Sequence, residues 1–142
     1  MNELSNFHKR LSDYIISTGL IKVVTWGDVF DLDLEKRNQY ALAHIMYQNV
    51  TVGQAYNTLT IDIILADLVN DNFDNTLDVY NQMHVVGTMI TKSIDGGDLY
   101  DYGYRLEVQP TLEPFKERFT MNLAGFTLSI GVNIPNNITR CN

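Results

Sequence analysis

Asp62 stands between Ile61 and Ile63, and Asp67 follows a few residues on, in a stretch that reads as a β-strand. Two carboxylates held in different environments can divide into a general acid and a general base. Strand alternation works against that use here, because neighbouring side chains leave on opposite faces and strands often carry acids on the wet side.

A second group of acids, Asp28, Asp31, Asp33 and Glu35, lies in the stretch DVFDLDLE. A calcium loop needs oxygen donors at alternating positions, a central glycine and a closing glutamate. Leu32 and Leu34 intervene and no glycine follows, so the spacing fits a solvated loop better than a metal site.

The histidines are His8, His44 and His84, and none has another His, Cys or acid at a helical ligand spacing. Cys141, next to last, has no activating neighbour, which argues against a nucleophile. The pair Gly96–Gly97 lies in DGGDLYDYGY, where a phosphate cradle would need a following helix N-terminus and often a lysine. Its neighbours are acidic, and Tyr100, Tyr102 and Tyr104 alternate through it. Tyrosine is enriched at protein interfaces, so this reads as a loop that meets a partner. No serine triad, P-loop or dinucleotide fingerprint occurs, and no catalytic, cofactor-binding or metal-binding residue is assigned.

The elements that carry these residues can be read from periodicity. Residues 3–18 predict a helix, with Leu4, Phe7, Leu11, Tyr14 and Ile15 on one face and Gly19 as its stop. Residues 20–26, 40–51 and 56–69 read as strands, the last two joined as a hairpin around Gly53 and Gln54. Asn75, with Asp78 in the first turn, marks the start of a second helix that runs to about Ile94, with Leu77, Tyr80, Met83, Val86 (or Gly87) and Ile90 recurring at helical spacing. A short strand at 104–108 and a long one from about Arg118 to Ile134 follow.

The expected order is α-β-β-β-α-β-β, an α+β fold with a mostly antiparallel sheet and two helices packed on one face. The length of 142 residues predicts a single domain spanning 1–142.

Composition narrows the function classes. The formal charge is −7 and basic residues total 10, with no basic run, so the footprint that neutralises phosphates is missing and adhesive nucleic-acid binding is disfavoured. No stretch reaches the roughly 18 apolar residues of a membrane span. The N-terminus does not resemble a signal peptide, and a single cysteine suits a reducing compartment, so a cytoplasmic place of synthesis and use is expected.

The cleanest alternation lies in the last strand. Ala124, Phe126, Leu128, Ile130, Val132 and Ile134 are apolar, whereas Gly125, Thr127, Ser129, Gly131 and Asn133 are short or polar. A merely solvated face usually carries long charged side chains; a short uncharged one admits close approach by another backbone, either a helix of this chain or another subunit. Pro135 is expected to end the ladder and release the tail. Phe126 is expected inside and Thr127 outside.

The segments LAHIMYQNVT and LTIDIILADLV, a helix, and then GGDLYDYGYRLEVQPTLEPFKERFTMNLAGFTLSIGVNIPNN resemble the small tail-completion or tail-terminator-like proteins of tailed bacteriophages. The likeness is to those of Bacteroidetes phages, including the crAss-like group. It covers roughly residues 20–141, and its most specific piece is L-E-P-F-x-x-R-F-x-x-x-L-A-G-F, residues 112–126.

The resemblance implies a non-catalytic virion subunit, assembled in the host cytoplasm. It would form a ring, commonly hexameric, at the head–tail junction or the end of the tail tube. The ring would meet other neck and tail proteins and let genomic DNA pass through its lumen without specific binding. A domain of this length has a radius of gyration of about 14 Å, so six in a ring leave a hole about one subunit wide. The expected subunit interface comprises Tyr100, Tyr102, Tyr104, Phe115, Arg118, Phe119, Thr127 and Ser129, with the loop Pro110–Arg118 positioning the contact and the last strand extending the sheet toward a neighbour. The alternative reading is a small non-catalytic protein-binding module of similar architecture, recognising its partner through the tyrosine loop.

Overall fold

A computed structural model describes residues 3–27, 40–69, 74–107, 109–116 and 123–136. In chain order the elements are α1 (Glu3–Ser17), β1 (Val23–Trp26), β2 (Leu42–Thr51), β3 (Tyr56–Leu68), α2 (Thr76–Ile94), a 3-10 turn (Tyr100–Tyr102), β4 (Arg105–Leu106), β5 (Thr111–Lys116) and β6 (Leu123–Pro135). The fold is α+β, with two helices and a mixed six-stranded sheet.

α1 forms because Phe7, Leu11 and Ile15 recur every four residues and are all fully buried. It stops at Gly19, whose φ of 78° suits glycine, with Thr18 and Gly19 N–H groups donating to the carbonyls of Ile15 and Ile16.

α2 starts where expected. The Asn75 carbonyl accepts from Val79 N–H at 3.1 Å, although the Asn75 side chain makes no capping hydrogen bond. Its buried stripe is Val79, Met83, Val86, Ile90 and Ile94, and Leu77 is 78% exposed. The expected stripe starts at Leu77; contact with the sheet starts it at Val79 instead. Gly87 lets the helix lie close, because a Cβ there would meet the Leu112 side chain of β5 at 2.7 Å.

The strand order is β1-β2-β3-β6-β4, and β5 pairs with β6 farther along the edge that β4 occupies. β1 and β2 are parallel and every other pairing is antiparallel. β2 and β3 form the expected hairpin, in which a Cβ on Gly53 would press on the carbonyl oxygen of Tyr56 at 2.5 Å.

The structure corrects the sequence reading at three places. The stretch expected as the loop Pro110–Arg118 contains β5, so the sheet gains a strand. Two prolines make that stretch look like a loop, yet Pro114 is tolerated because β5 is an edge strand and needs no outward N–H. β6 is not an edge: β3 pairs along all of it, and β4 and β5 hold much of its other side, so it cannot extend the sheet toward a neighbour. Finally, Pro135 still pairs with Tyr56, and Asn136 N–H donates to the Ala55 carbonyl at 3.0 Å, so the chain stays tied to the β2–β3 turn through residue 136.

Both helices cover one face of the sheet. There Phe7, Leu11, Ile15, Met83 and Ile90 meet Ile45, Ile61, Ile63, Leu128, Ile130 and Val132. Each such side chain, fully buried, contributes about 1.5–3 kcal/mol. Phe126 is only half-buried, beneath Tyr80 and His84 of α2. It lies on the inward side, as expected, and packs against the core, but being only partly buried it contributes less than the inward isoleucines.

Candidate functional site

The face of the sheet away from the helices presents the odd-numbered residues of β6 and the even-numbered residues of β3, brought side by side by their register. Toward one end it is apolar, with Leu42, Ile64, Ala66, Phe115 and Leu123 packed together. Toward the other end it is a ladder of short polar groups. Ser129 Oγ donates to Asp62 Oδ1 at 2.8 Å, and Gln48 Nε2 donates to Asp62 Oδ2 at 3.3 Å. Thr58 Oγ1 donates to Asn133 Oδ1 at 2.6 Å, and Asn133 Nδ2 donates to Glu107 Oε1 at 2.9 Å. Neither helix covers this face, so of the two coverings the short side chains allow, a helix of this chain is excluded among the described residues.

Asp62 therefore acts as an acceptor that ties three strands together. Asp67 lies on the opposite face, where it pairs with Ala124 and its Oδ1 accepts from Leu68 N–H at 2.8 Å. Five residues of strand separate the two carboxylates by about 16 Å, so they do not converge. The histidines are also dispersed. His8 is on α1, His44 is fully buried beside Thr25, and His84 lies on the outer surface of α2. Among the described residues no group of three or more His, Cys, Asp and Glu side chains is placed to hold a metal. No described helix is long and apolar enough to cross a membrane.

The tyrosine segment divides. Tyr104 is fully buried, edge-on to Phe7 at 4.9 Å between ring centroids, and its hydroxyl accepts from Arg10 Nη1 at 2.9 Å. It belongs to the core and cannot lie on a surface, which corrects the interface expectation; alternation put it in register with Tyr102, but the 3-10 turn at Tyr100–Tyr102 breaks that register. Tyr100 and Tyr102 do reach the surface, each beneath a guanidinium: Arg105 lies 3.5 Å from the Tyr100 ring centre and Arg10 lies 3.9 Å from that of Tyr102.

Phe115 is buried in the apolar half of the open face, so it supports that face from within instead of projecting as an anchor. Thr127 and Ser129 are half-exposed on the open face, as expected. Arg118, Phe119 and Cys141, and the acids Asp28, Asp31, Asp33 and Glu35, lie outside the described residues.

One surface was missed by the sequence reading. β1 ends at Trp26, opposite Ile45, so β2 continues past it with that side unpaired among the described residues from Met46 to Thr51. Trp26 is 65% exposed at this point. A cleft of about 260 Å³ bounded by Trp26, Gly27, Met46, Tyr47 and Gln48 runs beside β2. A second, of similar size and mostly apolar, is bounded by Leu4, Ser5, His8, Trp26 and Tyr47.

His8 Nδ1 and the Tyr47 hydroxyl are 2.6 Å apart at its base. Burial lowers the His8 pKa from its usual 6.5 and raises that of Tyr47 well above its ordinary value. Tyr47 thus stays protonated, and its hydroxyl shares a hydrogen bond with the His8 imidazole. The signal for this surface was present in the sequence: no Asp, Glu, Lys or Arg occurs from Asn38 to Ile61, in a chain that is 19% charged.

The sequence matches no protein-family model and no curated protein.

Proposed function

We propose that this protein is a non-catalytic assembly subunit that works as a closed ring of copies, at the head–tail junction or tail end of a tailed bacteriophage virion. The observation that carries the reading is the open face of the sheet, where Thr58 is bonded to Asn133 and Ser129 to Asp62, Thr127 stands half-exposed on the same face, and no helix among the described residues covers them. Short side chains locked to one another lose little freedom when a neighbour settles on them, which favours a repeated subunit contact over a ligand site. In this reading the ring ends tail growth or joins tail to neck, other neck and tail proteins bind its two ends, and DNA passes through a lumen that the net charge of −7 keeps from adhering.

The test is the solution mass of the purified protein by light scattering over a concentration series, with and without a tail tube or neck. A closed-ring multiple is expected, and Thr127→Arg should fold normally but fail to form it. A Thr127→Arg protein that assembles like wild type overturns the assignment of this face.

A small protein-binding module is the second reading. The stacked pairs Tyr100–Arg105 and Tyr102–Arg10 favour it, because Tyr and Arg held rigid at a surface are the residue types that dominate interface energetics. A strict monomer that captures no tail or neck protein through the open face would favour this reading.

A further inference from the structure

The two edges of the sheet differ in how they resist pairing. Along β4 and β5 the edge carries Glu107, Glu113, Pro110 and Pro114, and charges and prolines are what proteins place on an edge strand to keep other strands away. Along β2, from Met46 to Thr51, there is no charge and no proline. The turn that follows continues in the same way. Residues 48–56 are exposed without interruption, among them Val50 at 45% and Val52 at 76%. Trp26 stands at the head of this edge, beside the cleft where β1 stops short. Backbone N–H and C=O groups without a strand partner among the described residues, an exposed tryptophan and two exposed valines form one continuous uncharged strip.

Charge decides the occupant. Two copies of a chain with net charge −7 repel wherever their acids meet, and along this strip, within a run from Asn38 to Ile61 that holds no charged residue, they can approach without opposing charges. We infer that the free edge of β2 is where a second copy of this chain adds, β2 pairing with its counterpart about a two-fold axis. A two-fold axis perpendicular to the sheet makes the paired strands antiparallel, and it makes the contact self-complementary. Each copy brings the same Trp26 and Val50, so the apolar surface beside the new ladder is buried from both sides. The bulge at Gln48, where the β2–β3 register shifts between Tyr47 and Asn49, shortens the regular part of the edge. The contact is therefore small for a stable dimer and should form at micromolar concentration or above.

The inference does not depend on the ring reading, and the experiment separates the two. Wild type, Val50→Lys and Thr127→Arg would be compared by sedimentation equilibrium over a concentration series, with amide hydrogen exchange at the two ends of the series. Thr127→Arg should still pair, reaching the mass of two copies, with slowed exchange confined to Met46–Val52. Val50→Lys should fold, because Val50 is exposed, and should weaken pairing at least tenfold. The inference is overturned by a Thr127→Arg protein that stays a single copy at every concentration, by pairing that protects some other segment, or by undiminished pairing in Val50→Lys. A single-copy Thr127→Arg protein that instead gains protection at Met46–Val52 from an extended peptide would assign the edge to a different partner.

Discussion

On one face of the sheet, Ile61, Ile63, Ile130 and Val132 meet Phe7, Leu11 and Met83 and exclude water. One residue along the same strands, Asp62 takes hydrogen bonds from Ser129 and Gln48, and Asn133 bonds to Thr58 and Glu107, all through side chains in reach of solvent. The first face is held by area removed from water, a non-directional effect that accumulates over many contacts. The second is held by a few directional bonds whose net contribution is about 0.5–1.5 kcal/mol each. The helix-covered face therefore carries more of the stability, and substitutions in the polar part of the open face should leave the subunit folded. This asymmetry is the physical basis of the proposal that assembly uses the open face.

Substitution can break this comparison most severely where β6 lies closest to the backbone of β3. Gly125 has a φ of +156°, and a Cβ there would run into the carbonyl oxygen of Leu65 on the neighbouring strand. Gly125→Val should cost more than about 3 kcal/mol in urea denaturation, or prevent folding, although the position belongs to the open face. A core cut comes next: Ile63→Ala should lose about 2–5 kcal/mol by the same measurement, whereas Thr127→Ala should stay within about 0.5 kcal/mol. Equal losses at Ile63 and Thr127 would mean that the two faces do not differ as described.

Smaller effects test single bonds. Tyr104→Phe keeps the buried ring but removes the acceptor for Arg10, and about 1 kcal/mol should be lost; Asp62→Ala should lose a similar amount by releasing Ser129 and Gln48. The smallest effect is a pH dependence. His8 has its pKa lowered by burial, so the unfolded chain binds a proton more readily than the folded one. Stability is then full above the ordinary histidine value of 6.5 and falls as pH drops through it, levelling off below the lowered folded value. Denaturation midpoints of wild type and His8→Asn, compared at pH 8 and pH 5, should show that part of the slope only in wild type.

The fold class, the two helices, the β2–β3 hairpin and the inward face of β6 were legible in the sequence because each is a local period of apolar residues. The same logic failed where a residue's role depends on what lies beside it in space. Leu77 and Val79 are equally apolar, and only the sheet decides which one is buried. Tyr104 reads as the third member of a surface series until Arg10 and Phe7, distant in sequence, enclose it. Of the proposed interface, Thr127 and Ser129 were legible because alternation alone puts them opposite the core. Trp26 was not, because its exposure follows from β1 ending while β2 continues.

The sequence by itself determined which residues seek burial, where helices and turns must stop, and that the chain is acidic and poor in convergent chemistry. Those properties rest on side-chain chemistry and on φ/ψ restrictions that act within a few residues. Only the tertiary structure decided that β6 lies inside the sheet, that β5 is a strand despite its prolines, and that both helices share one face. Each of these depends on hydrogen bonds and contacts between segments far apart in the chain, and no local period encodes which distant strand will supply them.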